Sequence, residues 1–229
     1  MKRCLLVGAA PSKHIGLDLL LGSLRFDAAY AVDGGFAALA DREIEANKVF
    51  GDFDSLGYKP KHPCVRSFDS HKDFTDMDLA IQEAKADGFD ELVLCNAFEG
   101  RIDHTLGNLQ LLMKFAAQGQ RIWGANDEFA IVPLMAPGPF SCLSFSAGAK
   151  GTCSVINHSD LAKGVNEEGL EYSINGGIAE NKSLWGISNE LIGTPASISI
   201  ERGSAWVFFP LEELPRAKYG ERAPREQVQ

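Results

Sequence analysis

The chain has 229 residues, 45% of them hydrophobic and 23% charged, a composition that excludes a disordered, collagen-like or fibrous protein and leaves room for one large domain or two small ones. Its 22 Lys and Arg stand against 31 Asp and Glu. The net charge of -9 opposes broad attraction to nucleic acid or an anionic membrane, so a phosphate-bearing ligand requires a mediating cation.

The five cysteines are widely spaced and contain no C-x-x-C pair, which reads as reduced thiols in a cytoplasmic chain. The apolar run 5–10 is too short for a signal segment, and no stretch approaches the ~20 apolar residues of a membrane span. Up to about residue 126, short apolar runs alternate with amphipathic stretches, as when parallel strands are joined by crossover helices. Strands are expected at 4–8, 28–32, 48–50, 64–68, 92–95 and 121–124. Helices are expected at 17–24, 36–46, 77–87 and 105–117, the last with Leu106, Leu109, Leu112, Met113 and Ala116 on one face. After Glu128 the helical period vanishes. Short β-rich segments at 129–134, 140–145, 152–156, 170–174, 198–200 and 205–209, spaced by Gly, Asn and Pro, predict a small β-sandwich. The expected organisation is an α/β domain with a mostly parallel sheet and flanking helices over 1–126, an all-β sandwich over 127–214, and a polar, loosely held tail over 215–229.

The densest chemical signal is Gly51-Asp52-Phe53-Asp54-Ser55, at a strand end where open α/β sheets place their ligands. In extended backbone Asp52 and Asp54 face the same way, and a hard cation such as Mg2+ relieves their repulsion. A turn in which Asp bends the backbone is the plainer alternative. Further on, Lys72-Asp73-Phe74-Thr75-Asp76-Met77-Asp78 opens a helix. Thr75 with Asp78 resembles a capping box, which leaves Asp73 and Asp76 as surplus acids, one of which would complete a carboxylate set for Mg2+. Gly100-Arg101-Ile102-Asp103-His104 then offers an Arg fork suited to phosphate beside a helix start. There Asp103 is a candidate cap, and His104 reads as a surface residue.

Gly8 and Asp33-Gly34-Gly35 follow the first two strands, where backbone amides can approach a nucleotide or simply make tight turns. In the β half, Trp185 reads as core, and Ser188 and Asn189 as turn residues unless a ligand approaches them.

The order AVDGG, GDFDS, KDFTDMDLAI, GRIDHTLGNL, GLEYSI and GISNEL resembles the thiamine pyrophosphokinase (thiamine diphosphokinase) family over nearly the whole chain to about Leu211. The resemblance implies an ATP-dependent transferase with an α/β nucleotide-binding domain, a β-sandwich and a homodimer. Thiamine would lie between one protomer's α/β domain and its partner's sandwich. Carried over by motif, Asp52, Asp54 and Asp76 are the Mg2+ ligands, and Asp73, Arg101 and Asp103 stand beside the phosphates and thiamine. Gly8, Asp33, Gly34, Gly35 and Ser55 fall on the nucleotide side, and Ser188 and Asn189 meet the pyrimidine ring. Asp73 and Asp103 are the candidates for a general base.

Two departures stand out: Phe98 and Glu99 occupy positions before Arg101 where the family commonly has small residues, and Glu171 replaces a frequent Lys. The rival readings are a related diphosphokinase acting on a pterin-type alcohol and a non-catalytic thiamine or nucleotide sensor. GISNEL in the sandwich argues against the first. The retained acidic set argues against the second, which Glu99 alone favours.

Overall fold

β2 (Ala28–Val32) and β5 (Glu91–Cys95) are buried at every residue, the signature of parallel strands covered on both faces. The computed structural model describes residues 1–51, 58, 62–66, 74–184 and 186–221. These group into two compact units: Met1–Phe115 with Gln120–Ala130, and Ala116–Gly119 with Ile131–Gln229.

In the first unit, β1 (Arg3–Val7), β2, β3 (Lys48–Phe50), β4 (Val65–Arg66), β5 and β6 (Arg121–Ala125) form an all-parallel sheet in the order β6-β5-β1-β2-β3-β4. Its helices are α1 (Ile15–Ser23), α2 (Gly35–Ala40), α3 (Asp76–Ala86) and α4 (Ile102–Ala116). Register at the amino end is fixed by charge: Arg3, Glu91 and Arg121 are aligned across three strands. The buried Glu91 carboxylate accepts from Arg3 Nε at 2.5 Å, and from Arg121 Nε and Trp123 Nε1 at 3.0 Å each.

Three expectations for this half need correction. The second helix stops at Ala40, six residues early. Glu43 takes a left-handed φ of 56°, and the N–H groups of Glu43 and Ile44 return to the carbonyls of Ala40 and Leu39, closing the helix with a Schellman motif that has no glycine to announce it. Leu106, expected on the buried face of α4, is exposed, whereas Leu112, Met113 and Ala116 are buried as expected and Phe115 joins them. The fourth strand covers Val65–Arg66, residues 67 and 68 lying outside the described residues.

The second unit is antiparallel. β7 (Phe129–Ala136), β9 (Lys150–Asn157), β12 (Asn189–Ile192) and β14 (Gly203–Pro210) are ordered β12-β9-β14-β7. Facing them is the sheet β11-β10-β13-β8-β15, made of β8 (Cys142–Phe145), β10 (Leu161–Glu168), β11 (Ile174–Glu180), β13 (Ala196–Ser199) and β15 (Ala217–Gly220). Phe145 meets Phe209 edge-on at 5.1 Å across the two sheets.

The expected strand 170–174 is absent. Leu170 makes an isolated bridge to Leu191 and Ile174 already belongs to β11, because Gly169 turns at φ 74° and the Tyr172 N–H goes to the Asn189 side chain instead of a ladder. The tail is also better held than expected through Gly220. Leu211–Arg216 forms a 3-10 turn, β15 pairs with β8, and buried Tyr219 donates its hydroxyl to the Pro133 carbonyl. Residues 222–229 lie outside the described residues.

Candidate functional site at the carboxyl edge of the parallel sheet

In an all-parallel sheet every strand ends at one edge, so the segments after β1, β2, β3, β5 and β6 meet there. The chain leaves β1 toward β2 but returns to β5 on its other side, which makes β5 and β1 the switch point. The glycines at this edge serve close backbone packing. A Cβ on Gly8 would sit 2.5 Å from the Asn96 carbonyl oxygen, and one on Gly35 1.9 Å from that of Val7. Gly8 donates its N–H to the Cys95 carbonyl at 2.8 Å, and Asp33 its own to Phe50 at 2.8 Å. These two amides are therefore spent inside the fold rather than offered to a nucleotide. Asp33 has a left-handed φ of 48° and lies against Gly51, whose φ of 146° and lack of side chain admit the Asp33 carboxylate. Gly34 caps the start of α2.

Gly51 is where the described chain meets the acidic motif; Asp52, Asp54, Ser55 and Asp73 lie outside the described residues. Asp76, the remaining expected metal ligand, is the first residue of α3. Thr75 caps that helix by accepting from the Asp78 N–H at 3.2 Å. Asp78 does not complete a capping box. It accepts from Gln82 Nε2 at 2.9 Å and from Lys114 Nζ of α4 at 2.7 Å. Lys114 is a residue that sequence reasoning passed over, since a lone Lys in a helix carries no signal of its partner.

Arg101 and Asp103 face each other in a two-toothed pair, Nη2 to Oδ2 at 2.6 Å and Nε to Oδ1 at 3.2 Å. Both are exposed. Arg101 draws the Asp103 carboxyl down to about 2. Asp103 lies inside the first turn of α4 rather than capping it, since Thr105 already donates its N–H to the Arg101 carbonyl, and His104 is exposed.

The two departures before Arg101 have structural work. Phe98 is 7% exposed, and its ring fills the space over Gly124 of β6, where a Cβ would lie 2.3 Å from Cε2. Glu99 accepts from the N–H groups of Phe98 and Asp127, at 3.1 and 3.3 Å. Burial pushes its carboxyl upward, those two donors oppose the shift, and the Asp127 charge reinforces it. Asp127, also missed from sequence, closes the start of α1 by accepting from the N–H groups of Lys13 (2.6 Å) and Gly16 (3.0 Å) and from the Ser12 hydroxyl. Burial opposes its ionisation, but these donors prevail and hold it below the ordinary carboxylate range.

In the second unit Ser188 is exposed at φ 60°, with its N–H donated to Ser154 Oγ at 3.0 Å. Asn189 is no turn residue. It begins β12, is 4% exposed, and spends its side chain on the fold. Nδ2 donates to Glu167 Oε2 (2.6 Å) and the Tyr172 carbonyl (2.7 Å), while Oδ1 accepts from the Tyr172 and Glu190 N–H groups. Burial raises the Glu167 carboxyl against the lowering effect of Asn189. Tyr172, Leu184 and Ile187 are exposed apolar side chains close in sequence to this network. Trp185 is outside the described residues.

Residues 25–124 match the family model of the thiamin pyrophosphokinase catalytic domain. The chain is 30% identical over 178 residues to the thiamine pyrophosphokinase of Bacillus subtilis, covering 75% of this chain and 82% of that protein. A crystal structure of the Bacillus subtilis enzyme superposes with a TM-score of 0.78 at 26% identity, over 91% of this chain and 99% of that one. The fold likeness extends to a Geobacillus thermodenitrificans thiamin pyrophosphokinase structure, with a TM-score of 0.74 at 23% identity over 91% and 97% of the two chains. With this identity sustained over most of both sequences, the chain belongs to the thiamine pyrophosphokinase family.

Proposed function

We propose that this chain is an ATP-dependent thiamine pyrophosphokinase, a transferase that moves the terminal diphosphate of ATP to the hydroxyl of thiamine. The hydroxyl oxygen bonds to the β-phosphorus, the bond from that phosphorus to the α,β-bridging oxygen breaks, AMP leaves, and the hydroxyl proton is lost. Such a reaction asks a protein mainly for alignment and charge neutralisation. The observation that carries the reading is the gathering of Gly51, Asp76 and the Arg101–Asp103 pair at one edge of a parallel sheet, in a chain 30% identical to a thiamine pyrophosphokinase.

Asp52, Asp54 and Asp76 would hold Mg2+. Among the described residues no group of three His, Cys, Asp or Glu suits a metal, but Asp76 is a hard oxygen donor and the whole proposed set is carboxylate, which fits this ion. Bound there, Mg2+ would neutralise polyphosphate charge and orient its oxygens. Arg101 already presents its guanidinium fork to two carboxylate oxygens, and a phosphate offers the same geometry. Its release from Asp103 would free that carboxylate to accept the hydroxyl proton, a role for which Asp73 is the other candidate. Gly8, Asp33, Gly34, Gly35 and Ser55 shape the nucleotide side. Ser188, its N–H held by Ser154 Oγ, is the member of the sandwich pair available to the pyrimidine, while Asn189 spends its side chain on Glu167 and Tyr172. The protein is a cytoplasmic homodimer on this reading, with thiamine between one protomer's first unit and its partner's second.

The test is AMP formation from ATP and Mg2+ with thiamine, a hydroxymethylpterin or no acceptor present. AMP that appears only with thiamine supports the assignment; a pterin preference, or tight thiamine binding without AMP, selects one of the rivals. Asp54→Asn should abolish the reaction while preserving the fold.

A further inference from the structure

We propose that Lys114 is a positioning residue for Asp76, acting through Asp78, an inference that rests on the reading of Asp76 as a Mg2+ ligand. Asp78 is 6% exposed, and its partner lies 36 residues away near the end of α4. The Lys114 ammonium meets both carboxylate oxygens, at 2.7 and 3.0 Å, and lies over the rings of Phe74 and Phe115 at 5.4 and 5.1 Å. One cation thus grips the first turn of α3 and the residue that leads into its cap.

Successive helical residues point about 100° apart. Met77 is held on one side, its Cε 3.2 Å from where a Gly8 Cβ would be, and Asp78 is held by Lys114. With these two neighbours fixed, the first turn cannot rotate, and the direction in which Asp76 leaves the helix is set. In an ordinary capping box the side chain at the Asp78 position would turn back to the helix start. Here it crosses to the helix that follows Arg101 and carries Asp103 in its first turn, so the arrangement fixes α3 against α4 rather than capping α3 alone.

The test is Mn2+ binding to the full chain without nucleotide, followed by electron paramagnetic resonance. Removing a positive charge near an acidic cluster should tighten cation binding on Coulombic grounds alone. The positioning role requires the opposite sign. Lys114→Met should weaken Mn2+ binding about tenfold, the lower end of what loss of a ligand-orienting group costs. It should raise the Mg2+ concentration needed for half-maximal AMP formation by a similar factor and leave kcat at saturating Mg2+ within about twofold. Lys114→Arg should restore both.

The double variant Asp78→Asn, Lys114→Met contains no unpaired buried carboxylate, so it should fold normally and still bind Mn2+ weakly. Unchanged or tighter binding by Lys114→Met, or recovered affinity in the double variant, would overturn the proposal. Asp76→Asn separates the two layers. If it leaves Mn2+ binding intact, the metal assignment falls and this inference with it. If it weakens binding while Lys114→Met does not, only the positioning role falls.

Discussion

Gly124→Ala is the smallest perturbation that tests how Phe98 is accommodated. The added methyl would lie 2.3 and 2.4 Å from Phe98 Cε2 and Cζ. Ordinary carbon contacts begin near 3.5 Å, so the ring must withdraw by roughly 1 Å from a packed site. Overpacking of this kind costs about 2 to 3 kcal/mol, and the lost freedom of the unfolded glycine returns about 0.4 to 1. A net loss near 1.5 kcal/mol corresponds to a Tm about 3 to 6 °C lower in a chain of this size. Phe98→Leu alone should cost about 1 kcal/mol in lost burial. Leu lacks the two clashing ring atoms, so the double variant keeps the entropic gain without the clash and should be at least as stable as Phe98→Leu. Urea unfolding of the four proteins closes the cycle, with a coupling of about 1.5 kcal/mol or more expected. Additive losses, or a wild-type Tm for Gly124→Ala, would refute the account of Phe98 as the residue that fills the glycine's space.

Arg101→Lys keeps the charge but loses the planar fork, so kcat should fall about tenfold or more with a smaller rise in KM for ATP; unchanged steady-state kinetics would remove Arg101 from the phosphate site. Because burial raises the Glu167 carboxyl, the folded protein retains a proton that the unfolded chain releases near pH 4.3, and the stability this supplies is lost as pH rises through the folded value. Glu167→Gln, which can still accept from Asn189, should therefore gain on wild type in urea midpoint as pH rises from 4 to 8, and parallel pH profiles would contradict the sign. If the site is shared between protomers as proposed, inactive Asp54→Asn and Ser188→Trp proteins mixed under subunit exchange should recover about a quarter of wild-type activity, because half the dimers would be mixed and each would have one intact pocket. Proven exchange without recovery would place both lesions in pockets built within one chain.

The parallel strands were legible because apolar runs between turn residues signal buried strands directly. β2 and β3 match their expected limits, β5 and β6 each run one residue longer at one end, and β1 is shifted by one residue toward the amino terminus. What escaped was structure carried by polar residues. β10 reads Leu-Ala-Lys-Gly-Val-Asn-Glu-Glu, with Gly164 at φ 62° and register shifts on both sides of Val165, so the alternation that marks a strand is broken. Asn166 and Glu167 are nevertheless buried there because the chain supplies partners from Gly164, Gly176 and Asn189, the last 22 residues away. The candidate site divides the same way. Short motifs exposed Asp76, Arg101 and Asp103, whereas Lys114 and Asp127 acquire meaning only from segments 36 and about 111 residues distant.

The carboxylate of Asp127 at the start of α1 has a further consequence. Many doubly wound proteins greet an anionic ligand with the first helix after β1, whose free N–H groups act as a fixed partial charge. In this chain that reception is taken by an internal anion, with a negative charge stabilised on the spot. On the proposed reading, an incoming polyphosphate would meet repulsion at the β1–α1 turn and would have to be drawn elsewhere along the edge, toward the Gly51 and Asp76 side where a bound cation would stand between it and the protein. Exclusion on one flank and metal bridging on the other would together set the direction in which the triphosphate lies, and with it which phosphorus is turned toward the acceptor.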